Sequence, residues 1–119
     1  MLGRMMIRLF HCDDSEAMRL LVREQFAAHE RVEVVGGAED PRSAIDGTAQ
    51  AQPDVVLLDL LDPQNAEALV SDLRSAAPQA RIVVYSGYPP DAARIAHGGA
   101  DAYVEKSAPF PVLEKAVLG

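Results

Sequence analysis

The sequence predicts an α/β domain built on a parallel sheet, and two observations carry that prediction. Short apolar runs alternate five times with stretches whose apolar residues recur at helical spacing, without a repeat or a low-complexity linker. One run, Val55–Leu58, is apolar at every position, as expected for a central strand that is covered on both faces. Alternating strands and helices favour parallel strands joined by helical crossovers, and 119 residues suffice for one domain.

Five strands are predicted where the apolar runs fall. They cover residues 7–12, 32–35, 55–58, 82–85 and 102–104. The second run is rich in β-branched residues, which favour extended backbone. We expect Gly36-Gly37 to end it, because glycine is depleted in strands.

The first two helices are indicated by an apolar stripe and by a start signal. The first stripe has the spacing i, i+3, i+4 and i+8 and consists of Met18, Leu21, Val22 and Phe26. Asp40-Pro41 supplies an N-cap followed by a first-turn proline, so the second helix should begin there. It should stop before Pro53.

Three further helices follow the later strands. The third is expected to bury Ala66, Leu69, Val70 and Leu73. Gly98-Gly99 should end the fourth helix, because glycine is common just past helix ends. The last begins near Pro109 and is expected to bury Phe110, Leu113 and Val117.

Polar residues follow four of these strands at their carboxyl ends: Asp13, Asp14, Asp59, Ser86 and Lys106. In an open parallel sheet those ends share one edge, where ligands bind. The first and third strands carry the acids and must be neighbours. This favours the strand order 2-1-3-4-5, a flavodoxin-like doubly wound (βα)5 fold. Clustered carboxylates favour a hard cation, and a lysine with a hydroxyl favours a phosphoryl group.

Four motifs occur in order, each at its own strand. They read CDDS at 12–15, PDVVLLDL at 53–60, YSG at 85–87 and GADAYVEK at 99–106. On these motifs the chain resembles a response-regulator receiver domain of two-component signal transduction. The resemblance covers residues 7–117, and Ser107 weakly suggests the subgroup with LuxR-like DNA-binding outputs. It implies a magnesium-dependent domain that is phosphorylated by a sensor histidine kinase.

The acidic residues take their expected roles from this resemblance. Carboxylates can attack phosphorus, and the resemblance implies that Asp59 is the phosphoacceptor. It also implies that Asp14 binds Mg²⁺ directly, that Asp13 does so largely through water, and that Asp59 and the backbone carbonyl of Leu61 complete the set. One residue of the Asp13-Asp14 pair is also expected to be the N-cap of the first helix.

The remaining site residues are assigned in the same way. Ser86 and Lys106 would donate to phosphoryl oxygens. Tyr103 resembles the family's switch aromatic, and a half-buried tyrosine without a switching role is an equally open alternative. The resemblance puts Leu61 and Tyr88 at the two positions that set phosphate lifetime in the family. Neither can hold an attacking water, so slow self-dephosphorylation is expected.

Two residues depart from the family pattern. Asp62, before Pro63, adds a fourth carboxylate near the site, and Ser107 stands where the family usually has proline. They keep open a second interpretation, a degenerate receiver that acts as a phosphorylation-independent protein-interaction module. A metal-dependent phosphatase is disfavoured, because that class would need an aspartate where Leu61 stands.

Composition and charge disfavour several other classes of function. The formal net charge is −7, which disfavours direct nucleic-acid binding by this domain. No run is long enough to span a membrane and no secretion signal is visible, so we expect a cytoplasmic protein. We expect a single receiver domain over residues 1–119, with 1–5 a loosely ordered extension. It would not be an enzyme beyond its own phosphorylation and dephosphorylation.

The sequence also leads to expectations about partners and about the cysteine and histidine side chains. Phosphorylation is expected to permit homodimerisation, and the chain is either a stand-alone receiver or part of a longer regulator with a DNA-binding output domain. Cys12 should be a buried small hydrophobe. The histidines at 11, 29 and 97 show no metal-binding spacing and are assigned no role.

Overall fold

The computed structural model describes residues 6–59, 65–87 and 100–119. Its sheet has five parallel strands in the order β2-β1-β3-β4-β5. They are β1 (Ile7–Cys12), β2 (Val32–Ala38), β3 (Val55–Leu58), β4 (Arg81–Ser86) and β5 (Ala102–Glu105). The predicted fold class and strand order are confirmed.

Four helices lie in the described parts of the chain. They are α1 (Glu16–Phe26), α2 (Pro41–Ala51), α3 (Ala66–Ala76) and α4 (Phe110–Leu118). Asp40 caps α2 as predicted, since its Oδ1 accepts a hydrogen bond from the backbone N–H of Ser43 at 2.8 Å. The helix expected between β4 and β5, with its Gly98-Gly99 end, lies outside the described residues.

Apolar side chains cover both faces of the sheet. One face packs against α2 and α3. The buried residues of α3 are the four that the sequence predicted: Ala66, Leu69, Val70 and Leu73. The other face packs against α1 and α4, with Phe26 and Leu113 in its core. Every residue of β3 is buried, because this strand is central and covered on both sides. The sheet edge that carries the polar residues therefore rests on a rigid two-sided core.

The apolar stripe of α1 is narrower than predicted. Val22 and Phe26 are buried and Met18 packs partly against the same core. Leu21 is 44% exposed, so its assignment to the buried face is wrong. Because each helical residue turns about 100°, the i, i+4 and i+8 positions face the sheet while i+3 falls on the flank.

β2 does not end at Gly36-Gly37, as the sequence suggested, but runs through both residues to Ala38. Its register with β1 shifts just before Gly36, which leaves Val35 as an extra, bulged residue. A Cβ atom on Gly36 would lie 3.0 Å from the ring of Phe10. Glycine therefore allows a close approach of the Phe10 ring here and does not terminate the strand.

Within the ranges that the structure describes, no helix combines the length and the apolar character needed to cross a membrane.

Candidate functional site

The carboxyl ends of the strands bring the predicted polar residues to one edge of the sheet. Asp13 directly follows β1, and the backbone N–H of Asp59 donates to the carbonyl of Cys12 at 2.8 Å. The backbone N–H of Lys106 donates to the carbonyl of Ser86 at 2.9 Å. These bonds continue the parallel pairing one residue past β3 and β5. The side chains that follow the strands are thereby fixed relative to one another.

Three carboxylates form a cluster at this edge. One oxygen from each of Asp13, Asp14 and Asp59 lies within 4.8 Å of the other two. Asp13 and Asp59 are buried, whereas Asp14 is exposed, so a cation can enter from the solvent side. Carboxylate oxygens are the hard ligands that Mg²⁺ prefers, and it keeps several waters when one or two carboxylates bind it. The donor set fits a magnesium ion held by these three residues.

Asp13 is the most tightly held of the three acids. Its Oδ2 lies 2.8 Å from Lys106 Nζ and 3.6 Å from His11 Nε2, and its Oδ1 accepts the backbone N–H of Ser15 at 2.9 Å. Burial alone would raise the pKa of Asp13. The interactions with His11, Lys106 and Ser15 outweigh burial and lower that pKa from 3.8 to about 2. Asp13 is therefore a weakly basic carboxylate that stays ionised.

Asp59 has the opposite electrostatic character. Burial and the negative charge of Asp13 raise its pKa, and Lys106 Nζ, 3.5 Å from Asp59 Oδ1, opposes them only in part. Burial would lower the pKa of Lys106, but hydrogen bonding to Asp13 and the charge of Asp59 raise it. Lys106 is thus a protonated cation placed between a weakly basic and a more basic carboxylate.

The loop from β1 to α1 positions Asp13 and corrects one prediction. The N-cap of α1 is Ser15, whose Oγ accepts the backbone N–H of Met18 at 3.2 Å. The expectation that Asp13 or Asp14 would be the cap is wrong. Asp13 instead accepts the N–H of Ser15 itself, and its carboxylate turns toward the sheet edge.

Ser86 and Tyr103 lie where the strand assignment put them. Ser86 is the last residue of β4 and is fully buried. Tyr103 lies on β5, is partly buried, and packs against the core between the sheet and α2 and α3. Burial and the nearby charge of Glu105 raise its pKa. This half-buried placement fits both a switch and a static tyrosine. Leu61, Asp62 and Tyr88 lie outside the described residues.

Two residues without a predicted role contact Asp13. Arg19 on α1 donates from Nη1 to the Asp13 carbonyl at 2.5 Å, which ties the loop to the helix. His11 is only 1% exposed and lies against the Asp13 carboxylate. The sequence already marked His11 as unusual, because it is an ionisable residue within an apolar strand. Nothing in the sequence indicated a role for Arg19, because arginines on helices are common.

Comparison with known families assigns the class of the protein. The family model described as the response regulator receiver domain matches residues 9–118. The chain therefore belongs to the receiver domains of two-component response regulators.

Individual relatives agree with this assignment. The response regulator protein VraR of Staphylococcus epidermidis is 27% identical over 106 residues, covering 87% of this chain and 51% of that protein. The DNA-binding transcriptional activator DevR/DosR of Mycobacterium tuberculosis is 32% identical over 115 residues, covering 94% and 53%. The chain thus spans about half the length of these curated relatives.

A solved structure shows the same fold. The signal receiver domain of the response regulator NarL from Mycobacterium tuberculosis superposes with a TM-score of 0.84 at 28% identity. The match covers 95% of this chain and 94% of that one.

Proposed function

We propose that Asp59 accepts a phosphoryl group from a phosphohistidine on a sensor histidine kinase, with Mg²⁺ held by Asp13, Asp14 and Asp59. One observation carries this choice of acceptor. Asp13 and Asp59 flank the same lysine, yet the pKa of Asp13 is lowered and that of Asp59 is raised. A more basic carboxylate with fewer hydrogen bonds is the better nucleophile.

The transfer is a displacement at phosphorus. An Oδ atom of Asp59 forms the new P–O bond as the P–N bond of the phosphohistidine breaks. The departing imidazole nitrogen keeps the bonding electron pair and takes a proton. Lys106, 3.5 Å from Asp59 Oδ1, would stabilise charge on one equatorial oxygen, and Ser86, at the end of β4, would donate its hydroxyl to another. Bound magnesium would neutralise further charge on the transferred group.

The switch follows from the added charge. A phosphoryl group on Asp59 draws Lys106 and Ser86 toward it, and Tyr103 on the adjoining strand can repack as they move. We propose that this repacking changes the surface around β5 and α4 and promotes homodimerisation. The backbone carbonyl of Leu61 would be a further metal ligand. The side chains of Leu61 and Tyr88 would leave the attacking water without a partner, which gives a long-lived phosphate.

The output of the whole protein is proposed from its relatives. One of them, DevR/DosR, is a DNA-binding transcriptional activator and is about twice as long as this chain. We propose that residues 1–119 are a cytoplasmic receiver domain that controls transcription through an output domain. The receiver itself would act on no metabolite. Its only chemistry would be its own phosphorylation and dephosphorylation.

The test is intact mass after incubation with magnesium and acetyl phosphate, in which acetate replaces the histidine as leaving group. We expect one phosphoryl adduct that disappears with a chelator and in Asp59→Asn. Asp72→Asn, an exposed carboxylate on α3, is the matched control and should still be labelled. A folded, magnesium-supplied protein that takes no adduct would instead support the interaction module, with Asp62 and Ser107 as the residues that disable transfer.

A further inference from the structure

A buried histidine lies directly beside the proposed cation site. His11 is the fifth residue of β1, and neither of its ring nitrogens has a hydrogen-bond partner among residues 6–59, 65–87 and 100–119. A buried polar group without a partner costs free energy, so its presence calls for a compensating role. Its Nε2 lies 3.6 Å from Asp13 Oδ2, just beyond hydrogen-bonding distance.

Packing does not account for the imidazole. The ring of Tyr85 has its centre 6.5 Å from that of His11 at a tilt of 50°, which is a loose contact. The surrounding strand residues belong to the apolar core between the sheet and α1 and α4, including Leu9 and Leu57. A methionine would fill the same space without bringing two polar nitrogens into that core.

The geometry of Lys106 shows when a second donor to Asp13 is needed. Lys106 Nζ lies 2.8 Å from Asp13 Oδ2 and 3.5 Å from Asp59 Oδ1, so one ammonium group serves both carboxylates. A phosphoryl group on Asp59 places new negative oxygens within reach of that ammonium group. As Lys106 turns to them, Asp13 loses its 2.8 Å contact with that ammonium group while its side chain remains buried.

We propose that His11 is a positioning residue for the cation site: its Nε2–H donates to Asp13 Oδ2 and keeps the Asp13 carboxylate aimed at magnesium when Lys106 turns away. A shift of a few tenths of an ångström closes the 3.6 Å separation to a hydrogen bond. Residues that orient metal-binding carboxylates act in this way in many metal sites. The inference rests on the proposed magnesium-dependent phosphorylation.

The test compares His11→Gln with His11→Met. Glutamine places an N–H donor near the position of Nε2, whereas methionine has nearly the same shape without a donor. With Asp59 phosphorylated, we expect the dissociation constant for magnesium, measured by titration calorimetry, to rise about tenfold in His11→Met and to stay within twofold of the original in His11→Gln. Thermal unfolding in chelator should show His11→Met at least as stable as the unmodified protein, because it removes two unpartnered buried nitrogens.

A fall in metal affinity without a fall in stability is a result that a purely structural role cannot produce. The inference is overturned if His11→Met binds magnesium as tightly as the unmodified protein, or if His11→Gln is weakened as much as His11→Met. Labelling of the unmodified protein by acetyl phosphate separates the two proposals. If it is labelled and His11→Met retains full affinity, only the role of His11 fails. If it neither binds magnesium nor takes the label, the proposed function fails together with the role of His11.

Discussion

Neutralising the two buried acids beside Lys106 should change stability in opposite directions. Asp13→Asn should destabilise the metal-free protein, because the ionised Asp13 carboxylate is stabilised by Lys106, His11 and Ser15. Asp59→Asn should stabilise it, because burial and the charge of Asp13 make the ionised Asp59 carboxylate unfavourable.

The size of the Asp13 effect follows from its pKa. Folding lowers that pKa from 3.8 to about 2, and each pKa unit corresponds to about 1.4 kcal/mol. Asp13→Asn should therefore cost roughly 2 kcal/mol at neutral pH. The folded-state pKa is the lower one, so this stability is present above about pH 4 and is lost as the pH falls from 3.8 toward 2. For Asp59 the folded-state pKa is the higher one. The ionised Asp59 carboxylate therefore lowers the free energy of unfolding at neutral pH, and this effect disappears as the pH falls and the carboxylate takes up a proton.

Urea unfolding in chelator, repeated from neutral to acidic pH, measures both effects. Asp72→Asn, which neutralises an exposed acid on α3, is the control and should stay within about 0.5 kcal/mol. A shift of the free energy of unfolding in the same direction for Asp13→Asn and Asp59→Asn at neutral pH would contradict these opposite effects. So would a loss of stability in Asp13→Asn that persists unchanged through the acidic range.

Three further predictions concern packing, all measured by urea unfolding. Gly47→Ala should destabilise the protein by about 1–3 kcal/mol despite the better helix propensity of alanine, because its Cβ would lie 2.5 Å from the ring of Phe10; an increase in stability would contradict this contact. Thr48→Val should stabilise by about 1 kcal/mol, since the buried Thr48 hydroxyl has no partner within the described ranges, and a loss would show that it has one. Leu73→Ala should cost about 2–5 kcal/mol and Leu20→Ala less than about 0.5, because Leu73 is buried and Leu20 exposed; equal losses would refute the assigned helix faces.

Most of the fold could be predicted from the sequence because local signals and burial agree. Val55–Leu58 is apolar throughout and is the central strand. Asp40 carries both a capping side chain and a following proline, and α2 begins there. The sheet order followed from a functional argument, that the strands bearing the acids must be neighbours.

The errors arose where tertiary contact overrides local preference. Gly36 is weak as a strand residue, yet β2 continues through it, and a larger residue there would crowd the Phe10 ring. Leu21 fits a helical repeat of apolar residues but lies on the flank of α1, since the repeat does not specify which edge of the stripe meets the sheet.

The meeting of Asp13, Asp59 and Lys106 at one edge of the sheet could be predicted from the sequence, but the pKa shifts of these residues could not. Strand ends explain why Asp13 and Asp59 meet beside Lys106. They do not show that the pKa of Asp13 falls while that of Asp59 rises, because this depends on the contacts that His11, Lys106 and Ser15 make with Asp13 and on the burial of Asp59 beside the charge of Asp13. The place of His11 against Asp13 likewise depends on the side-chain direction of β1 at the sheet edge.

The acceptor residue is the central claim, and its chemical identity can be read directly. Borohydride reduces an aspartyl phosphate to homoserine, so protein labelled with acetyl phosphate and magnesium can be reduced, digested and sequenced by mass spectrometry. We predict homoserine at position 59 and at no other aspartate. Homoserine at position 13, 14 or 62 in place of 59 would contradict the account, because it would assign the nucleophile to a different carboxylate.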